Sequence, residues 1–316
     1  MKITVINSAL NTAHIVEWLD SKFDTPGGRE NALAQRLLVD SPDIIAFSEF
    51  QRFSYEWDND GRRIEGTRQD RAEIVANALR DEGYVCVFST GKFVAHALNR
   101  EGYICVFSTA KFSDEPNEPL DKDDWVLLCI AVKGNPEDII EVDRRPHDRH
   151  ADGFCGRKWL GITIKNNATR SFKNGELRII NVHVPYASDK VKRKNHFEAI
   201  YAELCVDGDA VLVGDFNAFD DKDIDKDIAG EIALSCKSEL EPILDNGWVD
   251  AWEYTHKCKA PKDIDRFTYF FRRSGRRLDY AFLSPGLETQ LCNAEHQHDY
   301  RLHNLTDHSA LMIELE

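Results

Sequence analysis

The chain has no basic excess with which to coat a polyanion: its 316 residues carry 40 Lys and Arg against 55 Asp and Glu, a formal net charge of −15. Proteins that cover nucleic acid indiscriminately present a basic face, so that class is disfavoured. No apolar run approaches the ~18 residues of a membrane span, and the opening MKITVINSAL turns polar too soon for a secretory signal. The expectation is a cytoplasmic protein that begins near Met1. No CxxC pair occurs among the eight cysteines, and Cys86, Cys105 and Cys129 sit within apolar runs (YVCVF, YICVF, LLCIA), where a thiol acts as a small hydrophobe. These features predict a reduced protein without structural zinc. No Pro/Gly/Ser-rich linker or compositional break divides the chain, which reads as a single domain over 1–316.

What is present is an alternation of strand and helix in two halves. Apolar periodicity predicts strands at 3–6, 44–47, 84–88 and 103–107, with helices over 29–38 and 72–80. The second half predicts strands at 159–164, 177–184 and 210–213, with a helix over 194–204 before the last. A helix over 230–245, a turn into 248–252, and strands at 267–271, 279–283 and 310–314 close the chain. Two β-layers with helices on their outer faces accommodate this order.

Residues 75–93 (VANALRDEGYVCVFSTGKF) and 94–112 (VAHALNREGYICVFSTAKF) are tandem copies of 19 residues, identical at 14 positions. Two copies are too few for a solenoid, so the repeat reads as an insertion within the domain. The first copy suits a helix leading into the strand YVCVF; the second either repeats that pair or becomes a connection. His96 has Asn77 as its counterpart and takes no role.

Six fragments place polar groups at the ends of apolar strands: KITVIN, DIIAFSE, IINVHVP, VLVGDFN, RRLDY and LTDHS. Their residues are Asn7, Glu49, Asn181 with His183, Asp215 with Asn217, Arg277 with Asp279, and Asp307 with His308. Singly, each is more often a cap or a turn. Together they supply four carboxylates, three amides and two imidazoles, a set suited to one divalent metal, one phosphate and one activated water. The acidic runs 114–124 and 220–227 read as solvated loops. The basic runs KVKRK (190–194) and RRSGRR (272–277) adjoin site fragments and read either as solubilising charge or as a cationic rim for an anionic substrate.

In this order and at these intervals, the fragments resemble the endonuclease/exonuclease/phosphatase superfamily from Asn7 to His308, nearly the whole chain. GDFN with NVHVP, and RLDY followed by TDH, are the specific combinations; GWVDAWEYTH before FTYFF strengthens them. The resemblance implies a four-layered α/β sandwich: two packed, mainly antiparallel sheets flanked by helices, with the site at one end. It assigns Asn7, Glu49 and Asp307 to a Mg²⁺ or Mn²⁺ ion. Asp215 and Asn217 match the pair that orients or deprotonates the attacking water. His308 matches the imidazole on the scissile phosphate, with Asp307 or Asp279 fixing its tautomer, while Asn181 and His183 match a second phosphate-contacting pair. Arg157 in GFCGRKWLGITI, with Lys158 as its rival, and Arg277 are candidates for a cation over the phosphate.

Three departures narrow the match. Ser48 stands where the family commonly has glutamine; INSALNTAH lacks the signature of abasic-site enzymes; and 113–154 matches no family segment. The implied reaction is in-line attack of water on phosphorus. A metal-dependent nuclease acting on DNA or RNA is the leading reading. The alternatives are a phosphatase or phosphodiesterase acting on an inositol phosphate, lipid headgroup or other small phosphoester, and a binding module with a dead site.

Overall fold

The protein was analysed as a computed structural model, which describes residues 1–8, 23, 28–50, 71–88, 128–143, 159–165, 172–186, 190–205, 207–224, 237–257, 263–271 and 274–316. Among these, two six-stranded sheets pack face to face. The first sheet has the order β13-β14-β1-β2-β4-β3. It is built from β1 (Lys2–Asn7), β2 (Ile44–Ser48), β3 (Tyr84–Phe88), β4 (Cys129–Lys133), β13 (Leu291–Gln297) and β14 (Ala310–Leu315). The second has the order β5-β6-β7-β8-β12-β9. Its strands are β5 (Ile139–Asp143), β6 (Trp159–Lys165), β7 (Glu176–His183), β8 (Asp209–Asp215), β9 (Val249–Asp250) and β12 (Asp279–Leu283). Each sheet has one parallel pair, β1 with β2 and β7 with β8; the remaining pairs are antiparallel. A separate hairpin joins β10 (Tyr269–Phe271) to β11 (Ser274–Arg276).

Strand alternation sorts the side chains into layers. Ile3, Val5, Ile44, Ala46, Ile179, Val211, Val213 and Ala281 fill the space between the sheets. Residues of opposite parity face outward. Ile45 and Phe47 meet Leu33 and Leu37 of α1 (Gly28–Asp40) and Val75 and Leu79 of α2 (Arg71–Asp81). On the other side, Ile180, Val182, Leu212 and Phe282 meet Phe197 and Ile200 of α3 (Lys190–Glu203) and Leu240 and Ile243 of α4 (Lys237–Asp245). The i, i+3 and i, i+4 spacings in these helices give one apolar stripe each. This is the four-layered sandwich that the resemblance implies.

The expected elements recur with shifted ends, except that β4, β5, β11 and β13 had no counterpart among the predicted strands. The proposed 248–252 turn contains β9 and the start of α5 (Ala251–Thr255). The first copy of the duplication forms α2 and β3, while the second copy, including the proposed 103–107 strand, lies outside the described residues, as do 230–236 of the expected 230–245 helix.

Candidate active site

The inward parity that builds the core also builds the site. Asn7 continues the series Ile3, Val5; Asn181 and His183 continue Leu177, Ile179; Asp215 continues Val211, Val213; and Asp279 precedes Ala281 and Leu283. One face of each strand therefore changes from apolar to polar toward the same end of the sandwich. Register then sets the neighbours: Asp215 pairs with His183 across β7 and β8, and with Asp279 across β8 and β12. Gly214 permits this register. It adopts φ 133°, and a Cβ there would lie 1.9 Å from the Val182 carbonyl oxygen.

Asp215 is the hub. Asn7 Nδ2 donates to its Oδ2 at 3.1 Å, and the Asn217 backbone N–H donates to its Oδ1 at 2.8 Å. His183 Nε2 lies 3.8 Å from Asp215 Oδ2 and 3.7 Å from Glu49 Oε1, between the two carboxylates. Burial, followed by the neighbouring Asp279 carboxylate, raises the Asp215 pKa from 3.8 to about 6. His308 donates from Nδ1 to Asp279 Oδ2 at 2.7 Å. Asp279, rather than Asp307, is therefore the carboxylate bonded to the ring. Burial opposes the charged imidazole, but Asp279, Asp307 and Asp215 outweigh it and lift His308 from 6.5 to about 10.

Buried hydroxyls hold the loops that carry these groups. Ser8 Oγ lies 3.0 Å from both the Ser48 and Glu49 carbonyl oxygens, at the point where Glu49 leaves β2 with φ 51°. Asn217 also has positive φ, 46°, and its Nδ2 donates to Val184 O at 2.9 Å. Positive φ at a residue other than glycine is strained and concentrates at functional sites. Thr306 Oγ1 donates to Asn7 O at 2.5 Å, while Thr268 Oγ1 accepts the N–H groups of Leu278 and Asp279. Arg29, 1% exposed, joins the Ser8 and Leu305 carbonyls.

Two residues expected at the substrate make other contacts in the structure. Arg277 is buried in a different cluster, where it donates to Asp250 at 3.3 and 2.5 Å, lies 3.2 Å from Asp223 and stacks on Tyr280 at 4.3 Å. Desolvation favours its neutral form, but these carboxylates hold the charge within their own cluster. Asn181 is fully buried, and its Nδ2 donates to Phe47 O at 2.8 Å and Cys129 O at 3.4 Å, tying one sheet to the other. The basic run on α3 also changes character. Arg193 is 3% exposed and forms a forked pair with Glu239, and Lys194 pairs with Glu198. Arg157 and Lys158 lie outside the described residues.

Tyr186 and Tyr269 were not identified from sequence. Tyr186 follows His183 by three residues and is 59% exposed; Glu49, then burial, Asp215 and Asp307 raise its pKa, so the phenol stays protonated. The Tyr269 ring lies 4.8 Å from the His308 ring; its pKa is pushed up to about 12 by burial first and then by Asp307. The NVHVPY and FTYFF runs contained the available signal: aromatic residues close to site fragments.

The donor set can be tested against a divalent ion. Among the described residues, Asp215, Asp279 and His308 offer ligating atoms within 4.8 Å of one another. His308 in its imidazolium form cannot ligate, and its bond to Asp279 already uses that carboxylate. Oxygen donors beyond that pair, on Glu49, Asp215, Asn7 and Asp307, fit a hard cation.

The sequence model of the Endonuclease/Exonuclease/phosphatase family matches residues 10–308. The chain belongs to this family. Similar solved structures include a 3′ phosphatase from Neisseria bound to a product DNA hairpin, with 21% identity, a TM-score of 0.60, and coverage of 100% of this chain and 99% of that one. A 3′–5′ exonuclease from Neisseria meningitidis gives 20%, 0.59, and 100% of both chains. An AP endonuclease from Archaeoglobus fulgidus gives 18%, 0.61, 100% and 99%. None of the curated proteins is a match.

Proposed function

We propose that the protein hydrolyses phosphodiester bonds in nucleic acid by in-line attack of water, with Mg²⁺ or Mn²⁺ as its cofactor. The observation that carries this reading is a buried carboxylate on β8 and a buried imidazole before β14, gathered around Asp279, that stand on opposite sides of neutral pH. Asp215, with a pKa lifted to about 6, is a carboxylate basic enough to take a proton from water near neutral pH. His308, lifted to about 10, remains an imidazolium that can donate to a phosphate oxygen as negative charge develops. Asn217 holds Asp215 in place through its backbone N–H. A bound divalent ion supplies charge neutralisation and a more acidic water.

Glu49, Asn7 and Asp307 are the proposed residues around the ion, with His183 positioned between Glu49 and Asp215. Similarity to structures described as an exonuclease, an AP endonuclease and a DNA-bound 3′ phosphatase supports nucleic acid as the substrate class. The test is incubation of plasmid, single-stranded DNA, RNA and an inositol phosphate, each with Mg²⁺ and with chelator. Metal-dependent breakdown of a polynucleotide is the expected result. Release of phosphate from the inositol phosphate alone would replace this reading with a small-phosphoester enzyme.

A further inference from the structure

Most described guanidinium groups in this acidic chain are neutralised. Arg29, Arg36, Arg178, Arg193, Arg266 and Arg277 each have a carboxylate oxygen within 3.5 Å. Arg276 differs. Among the described residues, its side chain has no hydrogen bond or ion pair; its Nε is buried without a partner, and its guanidinium carbon lies 5.8 Å above the Phe219 ring. Arg301 likewise has an unpartnered Nε and stacks 4.2 Å above Phe270.

Backbone register places Arg276 relative to the reacting groups. His308 bridges to Tyr269, Tyr269 pairs with Arg276, and Arg276 bridges to Ile224. Neighbouring strands lie about 4.8 Å apart, so the Arg276 backbone is about 10 Å from that of His308. Directly paired residues project from the same face of a ribbon, and the Tyr269 ring already lies against the His308 ring on that face. Phe270, with Arg301 above it, belongs to the alternate face.

Resting on the nucleic-acid reading above, we infer that Arg276 binds a phosphate of the same strand away from the scissile one, with Tyr269 forming the wall between the two phosphate positions. A polynucleotide repeats its phosphate at every nucleotide, so a further phosphate of the same strand can meet a cation about 10 Å from the first. A small phosphoester held at His308 does not span that distance. The guanidinium offers a planar fork of donors suited to phosphate oxygens. An unmatched cation in a chain of net charge −15 fits a polyanion that arrives from outside.

The experiment measures KM, kcat and their salt dependence for a fluorescent single-stranded DNA, alongside kcat/KM for bis(p-nitrophenyl) phosphate, both with Mn²⁺. Arg276→Ala should raise the DNA KM about tenfold with kcat retained, because the contact is made equally in ground and transition states. It should also reduce the logarithmic salt slope by about 0.7, the value for one phosphate contact on a single strand. Hydrolysis of the small ester should not change. Arg276→Lys should recover the salt slope, and Arg301→Ala, on the alternate face, should behave as the parent. Arg276→Gln keeps the stem over Phe219 and substitutes if the alanine variant unfolds. Unchanged DNA KM and slope in the variants, or an equal loss on the small ester, would overturn the inference. If the parent hydrolyses the small ester but neither binds nor cleaves DNA, the nucleic-acid reading itself fails and this inference falls with it.

Discussion

Two charged clusters lie on either side of Leu278 and follow opposite rules. On the Arg277 side, Arg277, Arg266 and Lys222 meet Asp250, Asp223 and Glu253, three cations against three carboxylates. On the Asp279 side, the carboxylates of Asp215, Asp279 and Asp307 act on His308 as the imidazolium, and Glu49 and Asp215 flank His183. The first cluster is neutral within itself and so joins β9, α5 and the chain before β12 into one unit. The second carries excess negative charge in a buried space, which is unfavourable unless a cation enters. A balanced buried cluster serves the fold, and an unbalanced one identifies the site.

The largest effects should come from breaking the unbalanced cluster. Asp215→Asn preserves shape but removes basicity, so kcat should fall by about 100- to 10,000-fold while substrate still binds. Steady-state kinetics would show this, and a variant that loses binding but retains turnover would give Asp215 another role. Glu49→Gln should also lower kcat by orders of magnitude, with part of the loss recovered at raised Mg²⁺.

Breaking the balanced cluster should instead act on stability. Arg277→Met leaves Asp250 and Asp223 buried without their cation, a loss of about 3–5 kcal/mol in a denaturant titration. The fraction that remains folded should turn over substrate at the parental rate. Parental stability combined with weakened substrate binding would return Arg277 to the substrate surface.

The clusters should also differ in the sign of a stability change. The folded pKa of Asp215 exceeds its ordinary 3.8, so the stability its protonated form contributes is complete below 3.8, is lost as the pH rises through about 6, and is absent at neutral pH. With chelator present at neutral pH, Asp215→Asn should therefore be more stable than the parent by about 1–3 kcal/mol, even as it loses activity. His308 has the same sign. Its folded value, near 10, lies above 6.5, so its contribution is complete below pH 6.5 and disappears as the pH rises through 10. A pH series of melting curves should show this alkaline limb in the parent and its absence in His308→Gln.

The fold was legible where strands were buried and ended in a functional residue, because there the apolar run and the polar group mark the same strand end. It was less legible at sheet margins. β13 buries only Ala294 and His296, and β5 has no fully buried residue, so neither carries a strong apolar signal. β4 lay in a segment with no family match, and its apolar run CIAVK alone did not distinguish strand from other buried structure. Within the site, residue types were readable but partners were not. Nothing in RRLDY distinguishes an arginine facing substrate from one enclosed by Asp250 and Asp223, which are distant in sequence. Ser8, Thr268 and Thr306 were missed because an isolated hydroxyl carries no pattern until the backbone it bonds is known.

The smallest expected effect concerns the duplication. Removing 94–112 leaves Phe93 followed by Ser113, reproducing the local sequence KF-SD found at the end of the second copy. The first copy already supplies α2 and β3. This deletion should preserve the circular dichroism spectrum and kcat/KM within about twofold, since it leaves α2 and β3 intact and removes no residue assigned to the site. Loss of folding would show that the second copy is required by the sheet.

The most direct test of the central claim is the melting temperature of the parent and Glu49→Gln, each measured with chelator and with added Mn²⁺ or Mg²⁺. An unbalanced acidic site that binds a divalent ion predicts a concentration-dependent rise in the parent and a much smaller rise in the variant, because binding to the native state stabilises it by mass action. Equal shifts in both proteins, or no shift in either together with hydrolysis that persists in chelator, would contradict it.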